Sequence, residues 1–152
     1  MPKTRSYYEI WLDEEKFAEK TDLSAGAEED PLYQDRYLPR KFKIGIAIPP
    51  NNDVDVLTND VGLIAVIENN KLIGFNIAAG GGLSSTHGNP NTYARLATVL
   101  GFVTVEQTLK AVYEVITIQR DYGNRSDRKL ARLKYTIDRL TVEGLKEELE
   151  KR

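Results

Sequence analysis

The chain contains no cysteine. That excludes disulfides, thiol nucleophiles and cysteine-ligated metals from these 152 residues, and it suits a reducing compartment. Histidine is almost as scarce. His87 stands alone, so neither a multi-histidine metal site nor a relay between two imidazoles can be assembled, and no metal ligands are assigned. No apolar run approaches the roughly 20 residues that span a bilayer. The opening Met1-Pro-Lys-Thr-Arg is not followed by the apolar core of a signal peptide. The expected compartment is the cytoplasm. The net charge of -2 gives no global pull toward nucleic acid or membrane.

What is present is ordinary in bulk and uneven in detail. Hydrophobic residues make up 41% and charged residues 29%, enough for one domain with a real core. Residues 1–30 hold nine acids against four bases, whereas residues 120–134 hold six bases against two acids. A second basic spot is Arg40, Lys41 and Lys43 in YLPRKFKIGIAIPP. The expected organisation is an N-terminal arm and acidic linker over residues 1–36, then the body of the domain over residues 37–152.

The hydrophobic pattern places elements along the chain. SYYEIWLD reads as a strand or extended arm, and the acidic stretch after it as a helical turn followed by a loop. Phe42, Ile44, Ile46 and Ile48 recur at period two, which predicts a half-buried strand with those four on the core face. GLIAVIEN and KLIGFNIAA flank Asn69-Asn70 as a β-hairpin. GGGLSSTHGNPN reads as a long glycine-rich loop, and residues 92–100 as a short helix. Thr104 is placed to cap a helix whose apolar face is Val105, Leu109, Val112 and Ile116, with Gly123 as its stop. Asp127 is placed to cap the next helix, with Leu130, Leu133, Ile137 and Leu140 at helical spacing, and VEGLKEELEKR makes a last amphipathic helix. Strands first and helices later predict an α+β fold, an antiparallel sheet covered on one face by helices. The chain stops on a helix without a tail, so residues 1–152 are expected to be a piece of something longer.

Three constellations could carry chemistry. Lys41 and Lys43 lie two apart on a strand and so share a face. Two ammonium groups on one face repel unless an anion or carboxylates lie between them, and lysines can also donate protons. The plain alternative is a pair of lysines that guards an exposed sheet edge. Gly80-Gly81-Gly82 weakens strand structure and allows positive φ or close approach to a ligand. It matches neither the phosphate-loop nor the dinucleotide motif. In the third, Arg125, Arg128 and Arg132 form a basic stripe if the helix begins early enough, and Lys134 lies about 160° from Arg132 on a regular helix. Both reach one ligand only if the helix is distorted or the ligand is large. The plain alternative is a solvated helix face.

Read together, YYEIWLD, YLPRKFKIGIAIPPNNDVDVLTND, GFNIAAGGGLSSTHGNPNTYARLATVLGF and QRDYGNRSDRKLARLKYTIDRL resemble the sirohaem-containing sulfite and nitrite reductases. The resemblance runs from about Tyr7 to the end, in order and without obvious gaps. LPRKFK is common to both branches; the long GFN…YAR segment leans toward the assimilatory sulfite reductase haemoproteins. The resemblance implies one half of a pseudo-twofold domain and six-electron reduction of sulfite to sulfide. The implied cofactors are sirohaem and a 4Fe-4S cluster. It implies that Lys41 and Lys43 face the substrate anion, and that Arg132 and Lys134 bind sirohaem carboxylates; some relatives carry lysine at the first of these two positions. The implied partners are sulfite, the remainder of a parent polypeptide, and a flavoprotein or ferredoxin electron donor. Two departures matter: the missing cysteines, which leave the cluster without thiolates in this chain, and the missing arginines of an earlier segment. The isolated piece is therefore expected to be inactive, and to dimerise through the surface its other half would cover. A nitrite reductase fragment and a non-catalytic anion-binding or scaffold domain are the alternatives.

Overall fold

A computed structural model of the chain describes residues 7–12, 15–21, 31–33 and 36–152. They fall into two compact units, Met1–Tyr37 and Leu38–Arg152.

In the first unit β1 (Tyr7–Leu12) pairs antiparallel with β2 (Glu15–Thr21), with an irregularity between Ile10 and Trp11. Residues 15–21 are thus a strand and not the helical turn expected of an acidic stretch. A partner ladder beside them outweighs the modest helix preference of Glu and Lys. Of the rest of that stretch, which runs over residues 14–36, residues 14, 22–30, 34 and 35 lie outside the described residues, and 31–33 form a turn.

The second unit is α+β, as the order of patterns predicts. Its sheet has the strand order β3 (Ile44–Ala47), β4 (Val61–Glu68), β5 (Lys71–Ala79), β6 (Thr98–Thr104). The sheet is mixed, not purely antiparallel, because β3 runs parallel to β4. Asn69 and Asn70, at φ 49° and 61°, make the left-handed turn that closes the β4–β5 hairpin. Three helices follow: α1 (Val105–Tyr122), α2 (Leu133–Leu140) and α3 (Val142–Glu150). Among the described residues no helix is long and apolar enough to cross a membrane.

The core forms where one face of β4 and β5 meets the helices. Val61, Leu63, Ile77 and Ala79 pack with Val115, Ile118, Leu133, Ile137 and Leu145. Each such large aliphatic side chain contributes about 1.5–3 kcal/mol on burial. Ile44 lies beside Val61 and Ile46 beside Leu63, so the isoleucines do share the helix-side face. They are not core, however: Ile44, Ile46 and Ile48 are 46%, 53% and 59% exposed. The buried helical side chains reach β4 and β5 and stop short of this edge strand. Of the four period-two residues, only Phe42 packs against the core.

Three other expectations change. Thr104 does cap α1, in a full capping box with Gln107. The buried side of that helix is nevertheless Thr108, Val115 and Ile118; Leu109 is 83% exposed. Residues 92–100 form no helix. Gly82 and Arg95 exchange backbone hydrogen bonds of 2.8 and 3.0 Å, which holds the segment extended, and Thr98–Thr104 then pairs with β5. Asp127 caps only a short 3-10 turn, Arg128–Leu130, by accepting from the Lys129 amide. The basic stripe therefore does not run along one regular helix.

Candidate functional site

Lys41 and Lys43 stand just ahead of β3. The Lys43 carbonyl accepts from the Val61 amide at 3.0 Å, and the Lys43 amide donates to Asp60 Oδ2 at 3.0 Å. The backbone of Lys43 is thus fastened at the entrance of the parallel ladder. Both lysine side chains are exposed, and neither ammonium has a hydrogen-bond or ion-pair partner among the described residues.

Arg132 is placed differently. It precedes the first turn of α2 in an extended conformation (φ -79°, ψ 155°), so helical spacing does not govern its direction. Its Nη2 donates to Asp60 Oδ2 at 2.9 Å and to the Gly81 carbonyl at 3.2 Å. Its Nη1 lies 3.5 Å from Ser84 Oγ. The side chain is 8% exposed and Asp60 is fully buried, so this is an interior ion pair. Two of its polar atoms are left over: Arg132 Nε and Asp60 Oδ1 are buried without hydrogen bonds among the described residues. Such atoms are rare in native interiors, and a role in ligand binding or catalysis is one explanation for them.

Lys134 is fully buried. Its ammonium donates to the carbonyls of Gly82 (3.0 Å), Ser84 (2.8 Å) and Tyr93. It also lies 4.9 Å from the centroid of the Tyr135 ring. All three N–H donors are used within the chain. Burial first, and the neighbouring Arg132 charge second, push its pKa below the usual lysine value. Arg132 and Lys134 therefore converge on one loop, because Arg132 sits ahead of the helix and Lys134 within its first turn.

That loop is the glycine-rich segment. Gly80 takes φ 83°, which favours glycine. The next two glycines allow close approach, though to this chain and not to a ligand. A Cβ on Gly82 would lie 2.5 Å from Arg132 Nη1, and one on Gly81 would lie 2.3 Å from the Leu57 carbonyl oxygen. Beyond them, Thr92 Oγ1 accepts from the Thr86 amide at 2.7 Å and closes the tip of the loop. His87, on this tip, is exposed.

Ser84, Ser85 and Thr86 form one wall of a cleft of about 520 Å³. Arg40, Arg128, Lys129 and Arg132 also line it, with Asp127 as the acid among them. Lys41 and Lys43 are not in its lining. Sequence reasoning singled out Arg132 but missed Asp60. The available signal was an acid directly ahead of VGLIAVI: a carboxylate that enters a buried strand needs a cationic partner. A second anchor, Arg95, was also missed. It donates to Asp138 at 2.8 Å and to the Gly80 carbonyl at 2.9 Å. Asp138 in turn accepts from the Tyr93 hydroxyl at 2.6 Å. This hydrogen bond, helped by burial, pushes the Tyr93 pKa up to about 12. Among the described residues no cluster of His, Asp and Glu could hold a metal ion.

Residues 1–152 match the family model of the nitrite and sulphite reductase 4Fe-4S domain. The chain belongs to this family. Among curated members, the sulfite reductase [NADPH] hemoprotein beta-component of Leptospira biflexa is 65% identical over all 152 residues. Its namesakes from Geobacillus thermodenitrificans and Bacillus subtilis are 59% and 57% identical over the same span. The chain covers 26% of each of these relatives, about a quarter of their length. Among solved structures, that of the Mycobacterium tuberculosis NirA protein superposes with a TM-score of 0.63 at 33% identity, covering 76% of this chain and 20% of that one. The α+β sheet-and-helix fold described above is thus that of a nitrite and sulphite reductase domain.

Proposed function

We propose that this chain is the portion of a sulfite reductase haemoprotein that presents Lys41 and Lys43 to the substrate anion and uses Arg132 with its basic cleft to receive sirohaem carboxylates. The observation that carries this reading is the buried Arg132 guanidinium, with an unpartnered Nε, on the wall of a cleft that also holds Arg40, Arg128 and Lys129. A polycarboxylate suits this donor set, since guanidinium groups form strong charge-assisted hydrogen bonds to carboxylates. Lys134 serves the same cofactor through the loop it holds, because its own donors are spent. The 4Fe-4S cluster fits differently. With no cysteine present, these residues offer it no thiolate, and its ligands belong to the remainder of the parent polypeptide.

When bound, sirohaem with its cluster would pass electrons from the external donor to the substrate. The work of this chain is electrostatic and protonic. Sulfite to sulfide takes six electrons, and each of the three oxygens leaves as water with two protons. Two ammonium groups without a partner among the described residues can offset the cost of burying the anion and can donate to departing oxygens. The NADPH in the relatives' names favours an NADPH-linked flavoprotein over ferredoxin as the electron donor. A cytoplasmic setting is consistent with that donor. The isolated chain is expected to be inactive and to dimerise through apolar surface left exposed, such as Leu109.

The test uses the full-length enzyme. Lys41→Met and Lys43→Met should each lower sulfite turnover by more than about tenfold, with sirohaem absorbance retained; a positioned proton donor typically contributes about 10²–10⁴-fold. Near-normal turnover in both variants would make them edge guards and the domain a scaffold. Turnover on nitrite in place of sulfite would move the parent enzyme to the nitrite branch of the family.

A further inference from the structure

We infer that Asp60 is a positioning residue that sets the substrate-facing Lys43 and the cofactor-facing Arg132 in one frame. This rests on the function proposed above for Lys43. Asp60 ends the turn before β4 and is fully buried. One of its oxygens, Oδ2, accepts from both the Lys43 amide at 3.0 Å and Arg132 Nη2 at 2.9 Å. Its backbone carbonyl accepts from the Gly80 amide at 2.8 Å. A single residue thus ties the lysine segment, the glycine-rich loop and the start of α2.

The arrangement is a poor one for stability alone. A buried ion pair is expensive unless its remaining lone pairs and protons are satisfied, and here Asp60 Oδ1 and Arg132 Nε are not. What the shared oxygen does achieve is registration. The backbone of Lys43 cannot shift along the edge of the sheet without lengthening a bond to the carboxylate that also orients Arg132. An apolar residue at this position would leave the Lys43 amide without its acceptor and the Arg132 charge without its counterion, and the two groups would lose their common reference. Asp60 is itself fully buried, so its effect on the substrate runs through Lys43 and its effect on cofactor loading through Arg132.

The test is a double-mutant cycle in the full-length holoenzyme with Asp60→Asn, Lys43→Met and the double variant. Sulfite kcat and KM, sirohaem absorbance per protein and thermal melting are read for each. Asn keeps the shape and removes the charge that holds both donors. The expected result is a loss of about fivefold or more in kcat/KM for Asp60→Asn with sirohaem retained. In the Lys43→Met background the same change should cost less than about twofold, because the residue it acts through is already gone. An equal loss in both backgrounds would overturn the inference and leave the Lys43 reading intact. A Lys43→Met enzyme with normal turnover would instead bring down the proposed function. Should Asp60→Asn fail to fold or load, the neutral pair Asp60→Asn/Arg132→Gln removes the unpaired charge. The cycle with Lys43→Met is then run against Arg132→Gln alone, and the same additive or non-additive outcomes decide.

Discussion

Lys134→Met separates two jobs a buried lysine could have. If the ammonium exists only to meet a ligand, then removing it from the ligand-free chain relieves a buried charge and should leave stability unchanged or raised. If it pins the glycine-rich loop, stability should fall. Its hydrogen bonds to the carbonyls of Gly82, Ser84 and Tyr93 are charge-assisted, worth about 1.5–3 kcal/mol each. The Gly82 carbonyl keeps a partner in the Arg95 amide at 3.0 Å, so two carbonyls rather than three lose their donor. Those values already include ordinary dehydration, but a fully buried ammonium incurs more of it than a typical donor, which lowers the sum. The net expected loss is about 2–4 kcal/mol, read as a drop of about 1–2 M in the urea midpoint. Amide hydrogen exchange across residues 82–95 should accelerate at the same time. The depressed pKa gives a sign to check as well. The folded state releases its proton before the unfolded chain, whose ordinary value is 10.5, so this group's contribution to stability rises with pH through that window. An unchanged or higher midpoint with unaltered exchange would refute the pinning role.

Two further outcomes are expected. Tyr93 should titrate near 12 by phenolate absorbance, and Asp138→Asn should return it toward 10; because its folded pKa is raised, the contribution of this hydrogen bond is complete below about 10 and fades as pH climbs toward 12. Gly82→Ala places a methyl 2.5 Å from Arg132 Nη1, so it should cost about 1–3 kcal/mol by overpacking and lower the sirohaem content of the full-length enzyme; wild-type loading would show that Arg132 can move without consequence.

The parts of this fold that were legible in the sequence are those governed by local rules. The Asn69-Asn70 hairpin, the Thr104 cap and the apolar spacing of Leu133 and Ile137 each follow from backbone geometry or periodicity within a few residues. The misread parts depend on what lies across space. Period two correctly put Ile44 and Ile46 on the helix side, but periodicity holds no information about how far the helices extend over the sheet. The α1 stripe through Leu109 obeys the spacing rule, yet the buried side includes Thr108, Thr117 and Gln119, polar side chains that find partners at depth. Thr117 Oγ1 donates to the Glu114 carbonyl, and Gln119 Nε2 donates to the Ala131 carbonyl. The site divides along the same line. The basic composition of residues 120–134 marked the segment, and the family resemblance singled out Arg132 and Lys134 within it. Nothing in their spacing showed that one would be paired with an acid 72 positions away while the other met three carbonyls of a loop.

The parallel attachment of β3 has a consequence for when this site is ordered. β4 and β5 are strands of 8 and 9 residues joined by a two-residue turn, whereas β3 has 4 residues, one neighbour among the described residues and exposed isoleucines. It reaches that neighbour only by a crossover, a non-local contact whose closure entropy must be met before any hydrogen bond rewards it. The lysine-bearing segment is therefore the part of the sheet expected to assemble last and to detach first, by sub-global opening that leaves the helix-covered core closed. An anion held by Lys41 and Lys43, as proposed above, would bind only the attached form, so occupancy and local order would rise together.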